Sequence, residues 1–388
     1  MTTVAAMSFW DGLTGQADAI ETLRSAASTD PGNSAMTHSW LITGPPGSGR
    51  SNLAYAFAAA LLARGDDDAQ ATIRQVGARS HPDLAVLSTE RIIITIDEVR
   101  TLVAASQFSP SVGRYRVVVI EDADRMTERT SNLLLKALEE PPPRTVWILC
   151  APSEADLIPT IRSRVRGVRL RVPSVADVAA LLERRDGVDA ETALVAAREA
   201  QSHIGMAHRL ATNPEARDRR RRTLETALSI RSVSDAVLSA ATLLAVAGDD
   251  AKAITEERDA DERASALRSL GIEPGGTVPP ALRSQLRALD DDQKRRATRS
   301  LRDGIDRIMV DLLSLYRDVL LLHLGVDDEP INQSMRARLD EATRASSPAS
   351  TLAVMDAIAV ARRRIESNVS PALALEAMLV AVSRHAVR

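Results

Sequence analysis

Short apolar runs rich in valine and isoleucine alternate with stretches of helical spacing between about Ser39 and Val172. The apolar runs predict strands buried on both faces at Trp40–Thr43, Leu84–Leu87, Arg116–Ile120 and Val146–Cys150. Strands that alternate with helices are typical of a parallel sheet covered by helices on its faces. The first part of the chain is therefore predicted to be an α/β domain.

The strand pattern ends at Pro173, and the rest of the chain has helical spacing. Ser174 followed by Asp177 is an N-cap signature, which predicts that a small helical module begins there. A turn at Asn213 and Pro214 indicates the next boundary, and apolar residues from Ala281 onward recur at the spacing of a helical bundle. The predicted domains are residues 1–172, 173–213 and 214–388.

A charged segment, residues 248–280, interrupts the apolar pattern of the last domain. It contains Gly275 and Gly276 and lacks sustained apolar periodicity, so we predict either a solvated insertion or partial disorder. Aromatic residues make up only 2% of the 388 residues, whereas hydrophobic residues make up 45%. A core built from alanine, valine, leucine and isoleucine favours closely packed helices.

Charge and cysteine content restrict the class of protein. A net charge of −3 argues against a protein that coats nucleic acid with its whole surface. Cys150 is the single cysteine, so no intrachain disulfide or multi-cysteine zinc site can form, and a reducing, cytoplasmic location is expected. No apolar run reaches the roughly 20 residues that span a bilayer. His203, His208 and His323 are scattered, and no metal site is predicted from them.

A glycine-rich loop follows the first predicted strand and precedes a helical stretch, which is the context of a phosphate-binding loop. The loop reads Gly44, Pro45, Pro46, Gly47, Ser48, Gly49, Arg50, Ser51. Ser51 is a candidate magnesium ligand, but Arg50 stands where such loops have a lysine, and a planar guanidinium fits less well between terminal phosphates. We predict a degenerate nucleotide site, the alternative being a glycine turn that merely connects strand to helix.

Two acids follow the strand at Arg116–Ile120, where a P-loop ATPase holds magnesium and activates water. Here the order is Glu121 then Asp122, whereas the usual order is aspartate then glutamate. The magnesium partner is one methylene too long and the base one too short, an error of about 1 Å where geometry decides the rate. Hydrolysis in cis is therefore predicted to be impaired. The alternative is that the acids solvate the strand end.

Three further segments resemble the bacterial clamp-loader subunits of the AAA+ family. Residues 132–142, which read NLLLKALEEPP, are similar to a signature segment of that family. Phe9, Asp11, Leu13, Gly15 and Gln16 are similar to the stretch that precedes its P-loop. Residues 157–164 are similar to the family segment that ends in Ser-Arg-Cys, although Val165 replaces the cysteine. The resemblance is strong over residues 9–172, and the last part of the chain is assigned from helical character and Tyr316, Arg317 and Asp318.

The resemblance implies a fold and a set of site residues. The fold is an AAA+ P-loop domain with a parallel sheet, a small helical lid, and an all-α collar domain that mediates oligomerisation. Arg164, with Ser163 before it, matches the arginine finger that reaches the nucleotide site of an adjacent subunit, although periodicity alone favours a surface arginine. Ser153 matches the first sensor position, and Gly205 stands where active subunits have the second-sensor arginine. Residues 61–81 lack the family's zinc-binding cysteines, so zinc is not expected.

The pairing of a missing P-loop lysine with a retained finger is typical of the family member that does not hydrolyse ATP. The resemblance then implies a subunit of the DNA polymerase III clamp loader with gamma/tau and delta subunits as partners. Through that complex it would act on the sliding clamp and primer-template DNA, with no cofactor required, no autonomous ATPase activity and no membrane contact. One alternative is an active gamma/tau-like ATPase. Another is a DNA-binding regulator that uses the run Arg217, Arg219, Arg220, Arg221 and Arg222, although a solvated interdomain helix end is the favoured explanation of this run.

Overall fold

The structure is a computed structural model that describes residues 9–10, 13–28, 35–89, 93–269, 283–367 and 369–386. Asp11 of the predicted family motif lies outside these ranges, and so do residues 270–280 of the charged segment, which include Gly275 and Gly276. By its internal contacts the chain divides into two compact units, Met1–Thr212 and Asn213–Arg388. The three-part division that the sequence suggests stays a prediction, and each unit is described by itself.

The described part of the first unit contains a five-stranded parallel sheet with strand order β2-β3-β4-β1-β5. The strands are β1 Ser39–Thr43, β2 Leu84–Leu87, β3 Arg116–Ile120, β4 Thr145–Ala151 and β5 Arg166–Arg169. All four predicted strands are confirmed to within one residue at each end. Sequence analysis missed β5, because this edge strand reads Arg-Gly-Val-Arg and buries only Val168.

Helices cover both faces of the sheet. They are α1 Ala17–Ala27, α2 Arg50–Leu62, α3 Asp66–Gly77, α4 Ile96–Ser106, α5 Glu128–Glu139 and α6 Pro159–Arg162. Alternate strand residues point to opposite faces, so Trp40 and Ile42 pack with α1 and α2, whereas Leu41 packs with α4 and α5. Trp40 also meets Phe57 of α2 edge to face at 5.3 Å. The predicted α/β domain with a parallel sheet is confirmed.

A small helical group completes the first unit. It consists of α7 Val175–Asp186, α8 Ala190–Glu199 and α9 Ile204–Thr212. The predicted N-cap is present, since the Ser174 hydroxyl accepts a hydrogen bond from the Asp177 amide and the Asp177 carboxylate accepts one from the Ser174 amide. Two orphan amides are satisfied in this way, which explains why the helix begins at this residue.

Helices are the regular secondary structure of the second unit over its described residues. Its helices are α10 Pro214–Leu228, α11 Val233–Ser269, α12 Arg283–Leu324, α13 Arg336–Ala345, α14 Pro348–Glu366 and α15 Pro371–Ala386. Their core is almost entirely aliphatic, with Leu243, Ile305 and Leu375 fully buried. This agrees with an interior poor in aromatic residues, and the all-helical C-terminal region is confirmed.

The charged segment near residues 248–280 is helical as far as Ser269, although it lacks an apolar stripe. Ion pairs with α12 take the place of apolar packing. The Arg296 guanidinium contacts Asp259 and lies 2.9 Å from Glu262, and Arg307 lies 3.5 Å from Asp250. Such pairs have no fixed spacing along one helix, so hydrophobic periodicity alone could not predict this part of α11.

The arginine run on α10 is not simply a solvated helix end. Arg219 pairs with Asp250 at 2.8 Å, and Arg220, with 6% of its side chain exposed, pairs with Asp311 at 2.9 Å. Arg220 also donates a 2.6 Å hydrogen bond to the amide oxygen of Asn332. These two guanidinium groups therefore form ion pairs in the interior of the second unit.

Arg220→Ala is expected to lower the free energy of unfolding of the second unit by about 3 kcal/mol, because it removes the buried guanidinium that contacts the Asp311 carboxylate and the buried Asn332 amide oxygen. Arg221→Ala is the matched control. Its guanidinium is 60% exposed and pairs only with Asp218 among the ion pairs described, so about 0.5 kcal/mol or less is expected. Hydrogen exchange over residues 213–388 measures both. Equal effects would contradict the structural role of Arg220.

Candidate functional site

The P-loop backbone connects β1 to α2 through two glycines in left-handed conformations. Gly47 has φ +79° and Gly49, the N-cap residue of α2, has φ +92°. Residues with a Cβ rarely adopt these angles, which accounts for glycine at both positions. Arg50 begins α2, and its guanidinium donates a hydrogen bond to the Gly44 carbonyl at the start of the same loop. In this conformation the Arg50 side chain is folded back onto the loop itself.

The small helical group contacts the P-loop directly. The Ile204 amide donates a 3.1 Å hydrogen bond to the Gly47 carbonyl. The His203 ring lies so close that a Cβ built on Gly47 would be 2.2 Å from its Cγ. Nδ1 of the same ring accepts a hydrogen bond from the Met206 amide in the first turn of α9. The His203 ring therefore fills the space over Gly47.

Gly47→Ala is expected to lower the free energy of unfolding of the first unit by about 3 kcal/mol, since it adds a steric overlap to the strain of positive φ. Gly49→Ala is the matched control. Its Cβ would meet only Ile204 Cδ1, at 3.6 Å, so only the conformational cost of about 1 kcal/mol is expected. All three tryptophans lie in this unit, so their fluorescence in a urea titration measures both variants. Equal losses of unfolding free energy in the two variants would show that the His203 ring moves away from residue 47 at no cost, which would contradict the expected steric overlap.

Glu121, just past β3, is the centre of a compact polar cluster beside the P-loop helix. Its carboxylate accepts hydrogen bonds from the Ser51 hydroxyl at 3.3 Å and from the Tyr55 hydroxyl. The Arg79 guanidinium donates to it at 2.7 Å and lies 5.5 Å above the centre of the Tyr55 ring. Burial, followed by the hydrogen bond to Glu121, raises the pKa of Tyr55, so the phenol stays protonated as a donor.

Asp122 and Asp124 follow Glu121 beyond the end of β3. Asp122 has its carboxylate 3.7 Å from the Arg125 guanidinium, and it precedes a short 3-10 helix at Ala123–Arg125. Burial, with a smaller contribution from the charge of Asp122, raises the pKa of Asp124.

Arg164 follows helix α6, and its side chain is 34% exposed. The guanidinium donates hydrogen bonds to Glu139 at 2.6 Å, to the Thr160 carbonyl at 2.7 Å and to the Ser163 hydroxyl at 3.0 Å. Ser163 in turn donates to the Thr160 carbonyl at 3.1 Å. The predicted finger and its preceding serine thus form one unit, fixed at the surface by the last helical residue of the LLLKALEE segment.

The two predicted sensor positions have local structural roles. Ser153 caps a short 3-10 helix, Glu154–Asp156, and Gly205 lies in the first turn of α9 beside the His203 ring. A cleft of about 1370 Å³ lies at the carboxyl ends of β1, β4 and β5. Ser153 and Gly44 line this cleft, which is where ligands bind in open α/β sheets.

The other candidate chemistry is accounted for by local contacts. Cys150 is buried on β4, and burial raises the pKa of its thiol to about 12. His208 Nδ1 lies 2.8 Å from Asp186, and His323 Nε2 lies 3.1 Å from the Ser346 hydroxyl. Over the described ranges no group of three or more histidine, cysteine or acidic residues is placed to hold a metal ion. No helix of those ranges is long and apolar enough to cross a membrane.

Comparison with known proteins gives a family for the sheet domain. Residues 15–174 match the sequence model of the family described as DNA polymerase III, delta subunit. The DNA polymerase III subunit delta' of Pseudomonas aeruginosa is 36% identical over 140 residues, which is 34% of this chain and 43% of that protein. Residues 15–174 are thus similar to the DNA polymerase III delta-subunit family.

The family region is also similar to another subunit class. The DNA polymerase III subunit gamma/tau of Mycobacterium bovis is 30% identical over 160 residues, covering 38% of this chain and 27% of that protein. The chain thus spans less than half the length of these two relatives. A solved gamma subunit-related protein of Thermotoga maritima has 19% identity and a TM-score of 0.39, with 95% of this chain and 100% of that one covered.

The delta-family region contains the P-loop, Glu121, Asp122, Ser163 and Arg164. Contacts in the structure bring Ser51 to Glu121 and Ser163 to Arg164. Sequence reasoning missed Tyr55, Arg79 and His203 as neighbours of the nucleotide loop, and Glu139 as the partner of Arg164. Tyr55 could have been found, because it lies four residues after Ser51 on one helix face. Arg79 carries no such signal, since only the tertiary fold brings it to Glu121.

Proposed function

We propose that this chain is the delta-prime subunit of a bacterial DNA polymerase III clamp loader. It does not hydrolyse ATP itself, and it supplies Arg164 in trans to the nucleotide site of a neighbouring gamma/tau subunit. Its further partner is the delta subunit. Through the assembled loader it acts on the sliding clamp and on primer-template DNA during replication in the cytoplasm.

The observation that carries this proposal is the presentation of Arg164. Its guanidinium is held by a carboxylate, a carbonyl and a hydroxyl, yet a third of the side chain remains exposed. A planar guanidinium presented in this way stabilises charge on a transferred phosphate with little loss of side-chain entropy. The residues that hold it, Glu139 and Ser163, lie in the two segments that resemble clamp-loader signatures.

The contacts around the P-loop support a site without turnover. Arg50 donates to the loop carbonyl of Gly44, and the His203 ring lies over Gly47. Glu121 is engaged by Ser51, Tyr55 and Arg79. A magnesium nucleotide would have to displace these contacts, so the residues present do not fit it in this conformation. Hydrolysis of ATP within this chain is therefore not part of the proposed function.

The two alternatives receive less support. An active gamma/tau-like ATPase would need Arg50 and Glu121 free to bind phosphate and magnesium. A DNA-binding regulator that uses the α10 arginines would need Arg219 and Arg220 at the surface, whereas their side chains are 11% and 6% exposed and ion-paired.

Reconstitution of the loader tests the proposal. The wild-type chain alone is expected to release no phosphate from ATP above the buffer rate. Added to gamma/tau and delta subunits, it is expected to raise the DNA- and clamp-stimulated ATPase rate of the mixture. Phosphate release by the isolated chain would favour the alternative of an active ATPase, and a mixture indifferent to the chain would contradict a role in the loader.

A further inference from the structure

The Glu121 carboxylate beside the P-loop forms an ion pair with a cation of the same chain, the Arg79 guanidinium. The Arg79 guanidinium lies 2.7 Å from one Glu121 carboxylate oxygen, and the Glu121 side chain is only 14% exposed. Ser51, the candidate magnesium ligand, donates to the other oxygen at 3.3 Å. In a P-loop ATPase these positions surround the metal. In this chain a guanidinium stands at the carboxylate instead.

The backbone of Arg79 is held in a conformation that suits glycine. Helix α3 ends at Gly77, and Arg79 follows with φ +54°. The Arg79 amide donates to the Val76 carbonyl at 2.9 Å and the Ser80 amide to the Gln75 carbonyl at 2.8 Å. This is the paired hydrogen-bond pattern of a Schellman motif, whose left-handed residue is usually glycine. Arginine is unfavourable in this left-handed conformation, and the contacts of the Arg79 side chain offset that cost.

Those contacts are specific for a cation. The guanidinium meets the Glu121 carboxylate and also faces the Tyr55 ring at 5.5 Å from its centre. The Tyr55 hydroxyl donates to the Glu121 oxygen that Arg79 contacts. A carboxylate and an aromatic face together attract a positive charge, and partial burial strengthens the attraction. The same charge repels any second cation at this carboxylate.

We propose that Arg79 is a built-in counter-cation, which occupies the place of a divalent metal ion at Glu121 and thereby keeps the P-loop from holding a magnesium nucleotide. This inference rests on the proposed function, because it explains how a subunit with a P-loop is kept from turnover. It assigns the block at the metal position to one side chain outside the P-loop and the acidic motif, in addition to the contacts that Arg50 and His203 make with the loop.

The test uses the full chain and the variant Arg79→Gly, which removes the guanidinium and suits the left-handed backbone. Binding of Mn²⁺ in the presence of ADP is measured by electron paramagnetic resonance. We expect the affinity for Mn²⁺ with ADP to rise at least tenfold over the wild type. Arg144→Gly is the matched control, since Arg144 is also an exposed arginine with positive φ, at +62°. No gain is expected there.

A second variant identifies the ligand. In Arg79→Gly with Glu121→Gln, the gained Mn²⁺ affinity is expected to disappear, because the amide is a poor ligand for this ion. If Arg79→Gly binds Mn²⁺ with ADP no more tightly than the wild type, or if the gain survives Glu121→Gln, the counter-cation proposal is wrong. Neither result affects the loader assay. The proposed function is contradicted there if the isolated chain hydrolyses ATP, or if adding the chain leaves the ATPase rate of the loader unchanged.

Discussion

Replacing Arg164 by alanine is expected to slow ATP hydrolysis at the gamma/tau site that this chain serves by about three orders of magnitude, which is the lower end of the usual effect of an arginine finger. The guanidinium is the group that would meet charge developing on the transferred phosphate, and alanine offers no donor. The loader should still assemble, because the Arg164 side chain is partly exposed and its contacts lie within the first unit.

The measurement is the DNA- and clamp-stimulated ATPase rate of the reconstituted loader, with assembly followed by gel filtration. Arg162→Ala is the matched control, because Arg162 is an exposed arginine at the end of the short helix α6, two residues before Arg164. It should leave the rate within about twofold of the wild type. If Arg164→Ala assembles normally and hydrolyses ATP as fast as Arg162→Ala, the finger assignment is wrong.

Replacing Asp83 by alanine is expected to lower the free energy of unfolding of the first unit by about 3–5 kcal/mol. This fully buried carboxylate accepts hydrogen bonds of 2.6 Å from the amides of Ser111, Val112 and Gly113. It also lies 3.6 Å from the Arg116 guanidinium at the start of β3. Alanine would leave three amides without their acceptor and would remove the negative charge beside Arg116, in the loop that positions β3 and hence Glu121.

Tryptophan fluorescence in urea measures this effect, with Asp97→Ala as the control. Asp97 is 92% exposed and, within the described part of the chain, forms an ion pair with the exposed Arg100, so a change within about 0.5 kcal/mol is expected. Burial alone would raise the pKa of Asp83, but hydrogen bonds from the three amides outweigh it and lower the pKa. The stability from Asp83 is therefore fully present above the unfolded value of 3.8 and is lost as pH falls below it. If Asp83→Ala lowered the free energy of unfolding by the same amount at every pH between 2 and 7, this account would be contradicted.

The sequence by itself determined the sheet domain and the position of its loops. Buried parallel strands are nearly continuous apolar runs, so four of them could be located within a residue, and a glycine-rich loop after the first follows from the geometry of phosphate binding. The N-cap at Ser174 is equally local, since its hydroxyl accepts from the amide three residues further on. The resemblance of residues 9–172 to clamp-loader subunits led to the family that residues 15–174 match.

Only the tertiary structure decided what the predicted site residues contact. Arg79 is 42 residues from Glu121 along the chain, and Asp83 is 28 to 30 residues from the amides that it holds. His203 reaches Gly47 from another helical group, and the edge strand β5 is held by its pairing with β1. Charged and polar side chains form such contacts in no fixed sequence period, because the attraction depends on distance in space and on burial. Local patterns therefore predicted the elements, whereas the partners of Arg79, Asp83 and Arg164 required the folded chain.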